Sequence, residues 1–353
     1  MLFDAPLTRR ALLAAMSGAV AAAKAEIGSV VVSEVRRFAD AATETPVTRL
    51  TDPAHTSLLP AWHLNAATRR GHLLLYSNDR TGAMQVYRMD LRSGEARQLT
   101  DVETLHPRAV AVLPDERYFA CAAGRALIVQ PIRPGHPREA YRAPADFELT
   151  GGLSISSDGR TAVLIEKGAS SWRLRHLPLA GVNATTIMES AEELRDPMVR
   201  PGSSEVLYRA GAKELHLAPS GRLLATTEGA AVWSPDGASL LYLDTATNAI
   251  RTVDTVSGAD SLVSTTSRYA SFGRNPDASV FVGASASKAS PGVLLLLRSV
   301  RRELELCEHR ASDPAQVMPR FTPDSQRVLF QSDRAGHMAI YVVNVERFVE
   351  PTD

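Results

Sequence analysis

Short apolar runs recur along the whole chain, each bounded by a cluster of Pro, Gly, Asp or Ser. The clearest unit lies near the end. Phe321-Thr322-Pro323-Asp324-Ser325 reads as a tight turn, because Pro fixes φ and Asp can bond its own backbone. Val328-Leu329-Phe330 is a β-rich run, Asp333-Arg334-Ala335-Gly336 reverses the chain, and residues 340–345 form the next run. Residues 71–91 repeat this pattern closely. Turn anchors recur at Thr68, Pro114-Asp115, Ser157-Asp158-Gly159, Pro201-Gly202, Pro235-Asp236-Gly237, Pro276-Asp277 and Pro323. A period of roughly 40–45 residues with four short strands per unit predicts a β-propeller, since no unit can bury both faces of its sheet alone.

The spacing predicts an all-β, seven-bladed propeller over 46–350. The blades fall at 58–100, 105–142, 150–189, 194–226, 229–264, 268–308 and 316–346. The continuous apolar run Val293-Leu294-Leu295-Leu296-Leu297 predicts a buried central strand. Residues 47–50 are expected to close the ring by pairing with the last blade, which removes an exposed edge. Residues 26–45 read as a linker, polar and irregular over 33–45.

The first 25 residues read as a targeting segment. Thr8-Arg9-Arg10-Ala11-Leu12-Leu13 is a twin-arginine pattern, an Ala-rich apolar run follows, and Ala23-Lys24-Ala25 offers a cleavage site. The run is too short to span a bilayer. The expectation is export, to the periplasm or beyond, with no stable membrane insertion.

Formal net charge is zero, which argues against a nucleic-acid partner. Arg outnumbers Lys by 35 to four, so a single arginine carries little weight. Cys121 and Cys307 fall in blades two and six and are not expected to pair. No phosphate loop, Gly-x-Ser-x-Gly elbow or zinc pattern occurs. Trp62, Trp172 and Trp233 are read as core by default, with stacking of one of them on a sugar as the alternative. Asp79, Asp115 and Asp333 are read as turn residues.

The unit at 321–345 resembles the repeat of TolB-type propellers. A closer resemblance is to the oligogalacturonate lyases, seven-bladed propellers that cleave short pectin fragments by β-elimination. It rests on Thr48-Arg49-Leu50-Thr51 through Leu99-Thr100, on Asp196-Pro197-Met198-Val199-Arg200-Pro201, and on Met318-Pro319-Arg320-Phe321-Thr322-Pro323 to the C-terminus. The family implies a divalent metal, typically manganese, held by histidines near the axis. Its last blade reads His-Pro-His-Pro-x-Phe-Thr-Pro, where this chain has Gln316, Val317, Met318 and Pro319. A family histidine three residues before a Trp is here Ala230, and a His-Pro blade start is here Asp196-Pro197. Asp196, Ala230 and Met318 each stand five residues before a turn proline, and the equivalents elsewhere are Ala109, Gly152 and Ser271. That ring holds one carboxylate and no imidazole, so no metal ligand is assigned and no cofactor is expected. Manganese is the ion implied should other groups have rebuilt the site.

Uronate β-elimination needs a base at C5 and a cation for the carboxylate. The resemblance and the strand positions together single out Arg200, Arg209 and His106 as catalytic candidates. Asp196, Arg200, Gln316, Arg320 and His63 are candidates for substrate contact. His216 lies further along blade four. The expected ligand is an anionic oligosaccharide, held where blades four and seven reach the axis. The alternative is a non-catalytic scaffold that binds a protein or peptide partner, and a hydrolase with an unfamiliar site is the third reading.

Overall fold

In the computed structural model, residues 27–181 and 183–349 are described; the twin-arginine segment lies outside them. Seven antiparallel sheets follow one another along the chain. Five contain four strands each: Leu105 to Arg142, Glu148 to Ser190, Leu194 to Thr226, Ala231 to Thr265 and Tyr269 to Glu308. Sequential four-stranded sheets of this kind are the blades of a propeller.

Each blade begins with an inner strand that turns back at one of the predicted anchors. All seven turns carry the same i to i+3 backbone bond, such as Gly159 N to Ser156 O and Gly237 N to Ser234 O, both 2.9–3.0 Å. In three blades a short side chain also caps the turn: Ser156 donates to Asp158, Ser234 to Asp236 and Thr322 to Asp324. In six of the seven the fourth position takes a left-handed φ, and in blade four the third, Gly202, does. Gly71, Gly159 and Gly237 suit it, while Glu116, Ala278 and Ser325 adopt it without glycine. Asp115 accepts from Arg117 N, Asp79 from Thr56 N and Asp333 from Ser312 N, in keeping with their reading as turn and loop residues.

The core is divided among the blade junctions. Seven apolar clusters occur among the described residues, one per junction. Val282 and Leu295 of blade six meet Phe330 and Tyr341 of blade seven in one of them. The 293–297 run forms the strand Gly292–Leu297, buried along its first five residues. Cys121 and Cys307 are buried and free, in separate blades.

Ring closure occurs where the sequence placed it. Pro46–Arg49 pairs antiparallel with Ala339–Asn344, with Val47 opposite Val343 and Arg49 opposite Tyr341. The preceding segment differs from expectation. Arg36–Ala39 is a strand paired with Pro46–Arg49, giving blade seven a fifth strand. The Asp40 side chain accepts from Ala42 N and Thr43 N, and Glu44 takes a φ of 59°, which together fold the hairpin. Val30–Val31 adds a fifth strand to blade one through Ala96–Gln98. Between these two strands Glu34 accepts two parallel bonds from Arg80, at 2.9 and 3.0 Å, and fixes the segment across both blades.

Candidate active site

The axis of this propeller is crossed by blade one. Its inner strand stops after Ser57–Leu58, where Pro60 offers no amide donor, and resumes only at the bridge between Ala67 and Leu74. The residues between reach four other blades. Ala61 N donates to Arg108 O of blade two at 2.8 Å. His63 Nε2 donates to Leu153 O of blade three, and Trp62 Nε1 to Ala231 O of blade five, both at 2.9 Å. Arg320 of blade seven donates to the carbonyls of Pro60, Ala61 and Leu64. The crossing separates two cavities, and Trp62 and His63 line both.

The first cavity, of about 590 Å³, opens where the inner strands of blades two to four begin. His63, His106, Arg108 and Asp196 line it. His106 Nε2 donates to Gly124 O at 3.1 Å. A carbonyl can only accept, so this bond leaves Nδ1 as the unprotonated nitrogen of the neutral ring. Arg108, two residues on, extends to blade seven and donates to Gln316 Oε1 and, at 2.9 Å, to Met318 Sδ. It has no ion-pair partner among the described residues; burial lowers its pKa, and Asp313 is the acid that opposes this. Trp172 stands at the rim with Lys167 Nζ 5.2 Å from its ring centre. Trp62 and Trp172 are half-buried, each packed against a core cluster and also lining this cavity, while Trp233 is buried.

The other candidates do not converge. Arg209 is 3% exposed and each of its three nitrogens is engaged: Nε donates to Asp196 Oδ2 at 2.9 Å, and the two terminal nitrogens to Thr227 O and Gly229 O. It ties blade four to blade five and lines neither cavity. Arg200 sits at the opposite end of the inner strand, bonded to Gly237 O and Glu205. Arg320 is 7% exposed, with its terminal nitrogens on carbonyls; burial first, then the charge of Arg108, press its pKa down to about 9, so it stays cationic at neutral pH. His216 stacks on Tyr208 and pairs with Glu214 on the outside of blade four. The expected cluster of Asp196, Arg200, Arg209, Gln316 and Arg320 is thus split. The reason is geometric: an inner strand rises about 3.3 Å per residue, so positions four apart lie about 13 Å apart, toward opposite mouths.

The same geometry bears on a metal. Asp196 is engaged by Arg209, while Gln316 and Met318 accept from a guanidinium, and Ala230 offers no ligand. Among the described residues no group of three or more His, Cys, Asp or Glu stands together in a way that could hold an ion. These residues do not fit a divalent transition metal, because a cation already occupies the space their acceptors face.

Protonation of two histidines carries a stability cost. His63 is held below the usual histidine range chiefly by burial, with Arg320 adding to this and the Leu153 carbonyl and Asp196 opposing it. Buried His309 is lowered likewise; its Nε2 donates to Ser285 O and its Nδ1 accepts from Ala311 N, so it is neutral. The unfolded chain takes up these protons at a higher pH than the folded one. Stability is therefore complete above about pH 6.5 and falls as pH drops toward the folded values. The melting temperature is expected to fall between about pH 7.5 and 5.5, and less so in His309→Gln. Equal pH slopes for the two proteins would contradict this.

No family model matches the chain. An oligogalacturonide lyase of Pectobacterium atrosepticum is 22% identical over 369 aligned residues, covering 87% of this chain and 95% of that protein. A solved oligogalacturonate lyase in complex with manganese superposes with a TM-score of 0.83 at 23% identity, over 91% of this chain and 98% of the other. The oligogalacturonate lyase of Vibrio parahaemolyticus gives 0.81 at 22% identity, over 92% and 100%. The likeness to the oligogalacturonate lyase propellers thus runs along most of the chain, and the solved structures share its fold.

Proposed function

We propose that this propeller binds short anionic pectin oligosaccharides in the His106–Arg108 cavity and cleaves them by β-elimination without a resident metal. The observation that carries the reading is Arg108: a guanidinium lacking an ion-pair partner among the described residues, beside a histidine whose Nδ1 is free to accept a proton. Arg108 takes the uronate carboxylate through two parallel hydrogen bonds, exchanging the weak thioether acceptor for an anion. That neutralisation stabilises the charge that develops as the proton at C5 leaves. His106 Nδ1 accepts this proton, the C4–C5 double bond forms, and the O4 leaving group departs with its electron pair and is protonated by solvent. Asp196 keeps its second oxygen for a sugar hydroxyl, and Trp172 offers a ring face at the rim. The likeness to the lyases supports the substrate class.

Export belongs to the same proposal, since pectin fragments reach a bacterium from outside. N-terminal sequencing of the mature protein tests it, and a retained Met1 would remove it.

The experiment is calorimetric titration with trigalacturonate, with maltotriose as the neutral control. Arg108→Ala is expected to weaken binding by about 10- to 100-fold, the worth of a charge-assisted bidentate contact. His106→Ala should keep the affinity and lose turnover by about 100-fold or more, read as absorbance of the unsaturated product. Equal binding of maltotriose, or an unchanged affinity in Arg108→Ala, would overturn the reading and favour the protein-binding scaffold.

A further inference from the structure

The second cavity, of about 510 Å³, lies on the other side of the blade-one crossing, among the inner turns. Turn prolines of four blades, Pro201, Pro235, Pro276 and Pro323, form its rim. No Asp or Glu lines it, whereas Arg274 and Arg320 both do. The first cavity differs in this respect, because Glu148, Glu193 and Asp196 line it.

Neither arginine of the second cavity has an ion-pair partner among the described residues. Arg274 Nε donates to Trp233 O at 2.7 Å, and Nη1 to the carbonyls of Asn275 and Pro276 at 2.9 Å. Its Nη2 has no partner among the described residues; Asp277 is the acid that acts on it through space. Arg320 Nε is buried and without a hydrogen bond, and so is His63 Nδ1. Buried polar atoms are almost always satisfied in native proteins. Here the residues that carry two such atoms, and Arg274 with its spare guanidinium nitrogen, line one carboxylate-free cavity, with Trp62 and Trp233 as its apolar walls.

We infer that this turn-side cavity is a second binding site, for an oxyanion carried on a molecule the size of a monosaccharide. Arg274 and Arg320 supply the charge, and the volume falls within the usual range for small ligands. A carboxylate and a phosphate present the same chemistry to two guanidinium groups. The site is separate from the oligosaccharide cavity and does not rest on the proposed lyase activity.

Tryptophan fluorescence of the full protein tests it, titrated with galacturonate, inorganic phosphate and neutral galactose in turn. Saturable change with at least one anion and none with galactose is expected; which anion binds more tightly identifies the source. Arg274→Gln should weaken that binding by about tenfold or more, and Arg274→Lys by less. Ser157→Glu, on an exposed turn at the rim, should weaken it too without touching the core. All three variants should keep wild-type affinity for trigalacturonate. No saturable anion signal would overturn the inference, and so would a galactose response equal to that of the anions. So would unchanged anion affinity in both Ser157→Glu and a natively melting Arg274→Gln.

Discussion

Arg209→Ala is expected to lower stability by about 2–4 kcal/mol, because it leaves two buried carbonyls and the half-buried Asp196 carboxylate without their donor. The residue is 3% exposed, and all of its bonds, to Asp196, Thr227 and Gly229, stay within the fold. A urea melt should show an earlier midpoint with an unchanged slope. A catalytic arginine would behave in the opposite way, with a native melt and no activity. Arg209 lies in the second strand of blade four, next to the inner strand, where the resemblance and its strand position suggested a catalytic role. Its surroundings assign it to joining two blades.

Val47→Asp is expected to cost about 4 kcal/mol or more, and to broaden or abolish the cooperative transition. Val47 is fully buried, faces Val343, and belongs to the only strand joining Arg36–Ala39 to the last blade. A carboxylate there sits in the apolar junction between blades six and seven and opens the ring. Thermal unfolding by far-ultraviolet circular dichroism reads the effect. Arg37→Asp, exposed on the outermost strand, should shift stability by no more than about 0.5 kcal/mol. If the two variants melted alike, closure would not be what holds the ring.

The blades were legible because their signal is repeated seven times: an anchor residue, a left-handed turn position and an apolar run. The fifth strands of blades one and seven were not, since Val30–Val31 and Arg36–Ala39 are short, and Arg36–Ala39 is largely polar. Val30–Val31 is a strand because the distant edge Ala96–Gln98 accepts it, and Arg36–Ala39 because Pro46–Arg49 accepts it across a hairpin. The site was legible only in part. His63 and His106 were rare enough to be noticed, and both line the expected cavity. Arg108 is one of 35 arginines, and nothing in His106-Pro107-Arg108 marks it. Its meaning comes from Gln316 and Met318, more than 200 residues away, and from having no ion-pair partner among the described residues. The alternation of strand residues could have paired it with His106 on one face. Arg200 and Arg320 were grouped with Asp196 and Gln316 by closeness in sequence, which along an inner strand means opposite mouths.

The central proposal is that the Arg108 guanidinium takes the uronate carboxylate without a resident metal. It is tested most directly by titrating the purified protein with trigalacturonate in EDTA and again in manganese, following heat and unsaturated product together. The account predicts the same affinity and the same turnover in both, with Arg108→Ala impaired equally in each. Turnover that vanishes in EDTA and returns with manganese would contradict it.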